Sequence, residues 1–266
     1  MINLDDRQDR WNAIQSSAGA FLRDAPPLTR ISALWGVQLP GYGTRPWFHG
    51  KPSDKRWAAK GGCTQSHRKA VEHARHQGWN TFLVLEDDAD LRLLTGINLE
   101  ALAHQLFTEH PDWDVCYLGF SKAVGPSLEL ASCGEHHVYE VIGCYAGHAY
   151  IVKARARDWI LDQVAGLSGV WPWLARHRII DRWYARNLTR VLRVFAVSPS
   201  IITQVPSYSD IVQRTVNYDE QFTGRIKHLS HGRRAFELRK TLHYATMSFT
   251  DAYDALRGLI KRFRGF

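Results

Sequence analysis

The stretch Thr81-Phe82-Leu83-Val84-Leu85-Glu86-Asp87-Asp88-Ala89-Asp90 decides the fold. An apolar run stops abruptly on three consecutive acids. Runs this short, rich in β-branched and aromatic residues, read as strands covered on both faces of a sheet. Ligands in open α/β sheets bind beyond the carboxyl ends of such strands. Three carboxylates at that position repel one another and cost stability unless a cation sits among them. Hard oxygen ligands suit Mg²⁺ or Mn²⁺, which in turn hold phosphate oxygens. The segment therefore reads as a metal–diphosphate site, or else as an acidic loop behind a core strand.

Outward from this strand the pattern alternates. Met1–Leu4 reads as a short strand, with Asp6 capping a helix to about Ser17. Leu28–Trp35 reads as a second strand. Residues 36–61, with Pro40, Gly41, Gly43, Pro46, Gly50 and Pro52, read as a long loop. A helix over Cys63–Gln77 feeds the Thr81–Leu85 strand. Beyond it come a helix at Leu99–Glu109, a strand at Asp114–Leu118, and strands at His137–Ile142 and Ala149–Val152. Helices at Arg155–Val164 and Ile179–Asn187 precede a strand at Leu192–Val197. The strand–helix–strand alternation of the first half predicts an α/β fold with a doubly wound, mostly parallel sheet.

At 266 residues, with 45% hydrophobic and 23% charged residues, the chain fits one large soluble domain, or one domain with an appendage. No apolar stretch approaches the ~20 residues needed to cross a bilayer. Met1–Arg7 lacks the apolar core of a secretory signal, and Cys63, Cys116, Cys133 and Cys144 show no Cys-x-x-Cys spacing. Buried free thiols in a reducing cytoplasm are the expectation. The net charge of +8 is uneven, because residues 225–266 hold ten Lys/Arg against Glu237, Asp251 and Asp254. That predicts a near-neutral domain over 1–222 and a basic helical extension over 223–266, a local anchor for something anionic. In the extension Phe249, Tyr253, Leu256, Ile260 and Phe263 repeat at helical spacing as one apolar stripe. Such a stripe serves either an anionic membrane surface or packing onto the domain.

Several segments in order resemble glycosyltransferase family 25, the lipooligosaccharide and procollagen galactosyltransferase type. They are Ile2-Asn3-Leu4 with Arg7 and Asp9-Arg10; Gly62-Cys63-Thr64-Gln65-Ser66-His67; Leu83-Val84-Leu85-Glu86-Asp87-Asp88-Ala89; Gly147-His148-Ala149-Tyr150-Ile151-Val152; Ile180-Asp181; and Pro199-Ser200 with Ser209-Asp210-Ile211. Each is weak alone, but six in order over residues 2–211 are specific. The resemblance implies a GT-A type nucleotide-sugar fold, an inverting mechanism and a UDP-hexose donor, usually UDP-galactose.

Within that frame Asp88 is the expected metal ligand, Glu86 supports it, and Asp87 contacts ribose or donor sugar. Asp90 is expected to be a surface acid. Asp181 matches the family acid and is the candidate general base, or else an anchor for the acceptor. Asn3, Leu4, Arg7 and Arg10 lie where they can meet uracil or phosphate, although Arg10 can equally be a structural ion-pair partner. Ser66 and His67 are expected to open a helix whose amide dipoles favour an anion. His148 is read as a metal or diphosphate ligand or as a satisfied buried histidine, and Asp210 as closing the donor pocket.

The resulting expectation is a Mn²⁺- or Mg²⁺-dependent hexosyltransferase. It would act on a glycan or lipid-linked acceptor, such as lipooligosaccharide, from the cytoplasmic face of a membrane. Two alternatives stay open: transfer to modified DNA bases or protein hydroxyls, and a sugar-nucleotide-binding protein without turnover.

Overall fold

The computed structural model describes residues 1–21, 26–209, 214–216 and 224–266. It opens with β1 (Ile2–Asn3), α1 (Gln8–Phe21) and β2 (Ile31–Ser32), followed by α2 (Asp54–His76) and β3 (Thr81–Leu85). After β4 (Ala89–Asp90) come α3 (Leu99–His104), β5 (Val115–Gly119) and the long strands β6 (Lys122–Cys133) and β7 (His136–Tyr145). Then follow β8 (Ala149–Lys153), α4 (Ala154–Gln163), α5 (Val170–His177), α6 (Ile180–Asn187) and β9 (Val194–Ser198). Short strands β10 (Thr203–Gln204), β11 (Ser207–Ser209) and β12 (Arg214–Val216) precede α7 (Arg233–Arg264).

The main sheet has six strands in the order β3-β8-β5-β9-β7-β6. β1 and β2 pair in parallel, and a parallel bridge from Ile2 to Glu86 sets this pair beside the end of β3. Successive residues of β3, β8, β5 and β9 go to opposite faces. Val84, Tyr117, Tyr150 and Ala196 join the core under α2, α4, α5 and α6. Leu85, Cys116, Ala149 and Phe195 join the core under α1 and α3. Both faces are covered, which is why β3 can be apolar throughout, and each such side chain contributes ~2 kcal/mol through burial.

The expectation of a mostly parallel sheet needs correction. Within the six strands only β5–β9 is parallel, and the other four pairings are antiparallel. β8 enters between β3 and β5 in the opposite direction, and β6–β7 is a long hairpin that the alternation of the first half does not reveal. Residues 54–61 are also helical rather than looped. Asp54 Oδ2 accepts from the backbone N–H of His49, Gly50 and Lys51 and so organises the turn at the helix start. Gly62 sits inside α2 because a Cβ there would lie 2.3 Å from the Leu34 carbonyl.

The four cysteines are free thiols; Cys116 and Cys144 are buried as expected, whereas Cys63 and Cys133 are half-buried. α7 docks on the domain by its polar side. Phe236 packs with Leu128 and Ile142, Asp251 pairs with Arg190, and buried Asp254 receives Arg186 and Arg257. Beyond α7, Phe266 lies between Trp57 and Phe48, at ring centroids of 4.5 and 5.3 Å. No helix among the described residues is long and apolar enough to cross a membrane.

Candidate active site at the acidic end of β3

The three acids after β3 point to three different sets of partners. Asp87 Oδ2 accepts from Asn3 Nδ2 at 2.8 Å, and its Oδ1 pairs with Arg10 Nη1 at 2.7 Å. Both oxygens are thus engaged in tying β1 and α1 to the end of β3. Arg10 takes the ion-pair role. Asn3 is buried, and its Oδ1 has no hydrogen-bond partner among the described residues. Leu4 contributes its carbonyl to Arg7 N and Arg30 Nη2, while Arg7 forks onto Asp9.

Glu86 faces α2. His67 Nε2 lies 3.2 Å from Glu86 Oε1, and its Nδ1 lies 2.8 Å from the Tyr150 hydroxyl. This makes a polar column through the core from β3 to β8. Burial pushes the Glu86 carboxyl up, but the hydrogen bond and charge of His67, with His148 and Arg10, hold it below the usual carboxylate range. Ser66 and His67 do not open a helix. They lie in the middle of α2, and the Ser66 hydroxyl donates to the Gly62 carbonyl and accepts from Leu34 N. No free amide dipole faces an anion there.

Asp88 is the strained member of the three. Burial, followed by the charge of Glu86, pushes its carboxyl up to about 7, against the hydrogen bond it accepts from Gln204 Nε2 at 3.1 Å. Gln204 comes from β10, which pairs with β4 and so folds over the acidic end of β3. Asp90, by contrast, is buried in β4 and held by Arg92, not a surface acid.

The turn between β7 and β8 joins these acids to Asp181. Glu86 N donates to the His148 carbonyl at 2.9 Å. The His148 ring is buried, with Nε2 2.9 Å from the Ile202 carbonyl and Nδ1 3.2 Å from the Ala146 carbonyl, so the backbone occupies both nitrogens. Burial lowers its affinity for a proton. Gly119 leaves room for this ring, since a Cβ there would lie 2.4 Å from Nε2. Ala146 takes a left-handed conformation, φ 48°, and its N–H donates to Asp181 Oδ2 at 3.2 Å. Asp181 sits in the first turn of α6 and accepts from Arg182 N through Oδ1. Asp210 lies outside the described residues.

Among the described residues no three His, Cys, Asp or Glu side chains form a ready-made metal cage. The donor set nevertheless suits a cation of the Mg²⁺ kind, which binds through one or two carboxylates and completes its shell with water and substrate phosphate. A carboxylate whose charge is disfavoured by burial and by its neighbours gains most from a cation. Asp88 fits that description, and Glu86 stands next to it.

No protein-family model matches the chain. Over 179 residues it is 24% identical to procollagen galactosyltransferase 1 of Danio rerio, spanning 65% of this chain and 29% of that protein. Over 220 residues it is 23% identical to procollagen galactosyltransferase 1-B of Xenopus laevis, spanning 76% of this chain and 35% of that protein. The chain is similar to galactosyltransferases. It spans about a third of the length of these relatives. Their names agree with the procollagen type in the motif resemblance.

Sequence reasoning missed Tyr150, Gln204, Gly119 and Ala146. Tyr150 and Gly119 stand in or beside recognisable strand segments, but nothing in the sequence joins them to His67 or His148. Gln204 follows no pattern at all.

Proposed function

We propose that this chain is an inverting glycosyltransferase of the GT-A type that moves a hexose, galactose first among candidates, from a UDP-sugar to an acceptor hydroxyl. The observation that carries the reading is Asp88, a carboxyl raised to about 7 just past the end of β3 and linked through the 146–148 turn to Asp181. A divalent cation, Mn²⁺ or Mg²⁺, held by Asp88 with Glu86 would stabilise the charge that develops on the departing diphosphate. Asp87, Asn3 and Arg10 hold β1 against the donor end of the sheet, so the first strand keeps its place. Asp181, with each oxygen accepting one backbone N–H, keeps lone pairs for the proton of the attacking hydroxyl.

The acceptor is a hydroxyl of a surface glycan such as lipooligosaccharide. A second reading, a protein hydroxyl, draws on the names of the relatives. Purified chain, UDP-[³H]galactose and Mn²⁺ are offered truncated lipooligosaccharide in one arm and a hydroxylysine peptide in the other. The Asp181→Ala variant should lose roughly 10²–10⁴-fold in transfer, as removal of a general base does. Retention of more than about a tenth of the rate removes Asp181 from that role.

A further inference from the structure

We propose that the outward face of α7 seats on an anionic membrane surface. The helix is held on the domain with its apolar stripe turned away from it. Leu242, Phe249, Tyr253, Leu256, Ile260 and Phe263 are all exposed, Phe249 and Phe263 by 82% and 80%. Steps of seven, four, three, four and three keep these residues on one face for about 30 Å of helix. A contiguous exposed apolar stripe of this length marks a surface that something else covers.

The charges choose the occupant. Arg234, Arg239, Arg262 and Arg264 are exposed along the same helix. All three acids of residues 225–266 are engaged by arginines: Asp254 by Arg178, Arg186 and Arg257, Asp251 by Arg190, and Glu237 by Arg233. The free face is therefore apolar with cationic borders, the pattern of a helix lying in the plane of an anionic interface. A second copy related by a two-fold axis would set these arginines against one another. Duplex nucleic acid would use the arginines but, with its bases paired and stacked inside, give Phe249 and Phe263 no apolar partner.

The pinning of the helix sets the orientation. Phe236, Asp254 and Phe266 fix it near its start, in its second half and just beyond its end, so the stripe is presented by the folded domain rather than by a loose tail. Arg178, which reaches Asp254 at 3.5 Å, precedes Asp181 by three residues. The docked helix thus lies beside the start of α6, which carries Asp181.

The test uses the full chain and vesicles of phosphatidylcholine alone or mixed equally with phosphatidylglycerol, with co-sedimentation as readout. Wild type should partition onto the anionic vesicles at least tenfold better than onto the neutral ones. A double variant, Phe249→Ser with Phe263→Ser, should lose at least tenfold of that partitioning at an unchanged melting temperature, because both rings are exposed. Arg262→Gln with Arg264→Gln should weaken it and reduce its sensitivity to salt. Equal or no sedimentation with both vesicle types overturns the proposal. So does full binding by the phenylalanine variant, concentration-dependent dimerisation that this variant abolishes, or retention on duplex DNA that it leaves intact. None of these readouts depends on sugar transfer, so failure here leaves the catalytic reading untouched.

Discussion

Gly119→Ala reports directly on how the site is built. A Cβ at this position would lie 2.4 Å from His148 Nε2 and 2.5 Å from the Ile202 carbonyl. The carbonyl is backbone and the ring is wedged between two carbonyls, so neither can move aside without breaking the 2.9 Å contact between them. Overpacking of this kind costs ~1–3 kcal/mol, and leaving a buried polar group unpaired costs a further ~1–3 kcal/mol. The sum is about 4 kcal/mol, which for a domain of this size lowers the melting temperature by roughly 10 °C. Urea titration and thermal melts would read it. Gly166→Ala is the control, because no described residue lies within 4 Å of its added Cβ; it should stay within about 0.5 kcal/mol of wild type. If Gly119→Ala melts within the same margin, His148 is not locked as described and the turn that links Glu86 to Asp181 is looser than the structure shows.

Phe266→Ala removes a ring buried among Trp47, Phe48, Trp57 and Trp171. It should cost about 3–5 kcal/mol by denaturant titration, and a loss below about 1 kcal/mol would mean that the end of α7 is not anchored there. Burial, with the charge of Arg176, pushes the His177 imidazole down to about 4. The fold holds it neutral while the unfolded chain takes up its proton near pH 6.5, so it costs nothing above that pH and destabilises as pH falls from about 6.5 to 4. Because His177 is only half-buried, the loss should be about 2 kcal/mol rather than the full ~3 kcal/mol of the shift. His177→Gln should flatten this part of the stability curve, and identical pH slopes for both proteins would contradict the assignment.

The Thr81–Leu85 strand was legible residue for residue because both of its faces are covered and acids end it. α2 was legible only from Cys63 onward. Gly50, Pro52, Gly61 and Gly62 carry the local signature of a loop, yet Gly61 and Gly62 serve close packing against Trp171 and the Leu34 carbonyl. His137–Ile142, within β7, was legible as a strand, but its hairpin partner β6 was hidden because Gly125 and Pro126 interrupt the apolar alternation. The register shifts across that stretch, between Val124 and Ser127, and proline is tolerated at such bulges. In the site, the acids announce themselves by type and order, as does Asp181 through its motif. Their division of labour does not. That Asp87 is engaged by Asn3 and Arg10, while Asp88 is the carboxyl under stress, depends on contacts across about 80 residues of sequence that only the fold brings together.

The central claim, that Asp88 holds a cation for a diphosphate, is tested most directly by calorimetric titration of UDP with and without Mn²⁺. Wild type should bind UDP at least about tenfold more tightly with Mn²⁺, a gain of ~1.4 kcal/mol, and Asp88→Asn should lose that gain while melting at or above the wild-type temperature. Equal UDP affinity in EDTA and in Mn²⁺, or a Mn²⁺ effect that survives in Asp88→Asn, would contradict it.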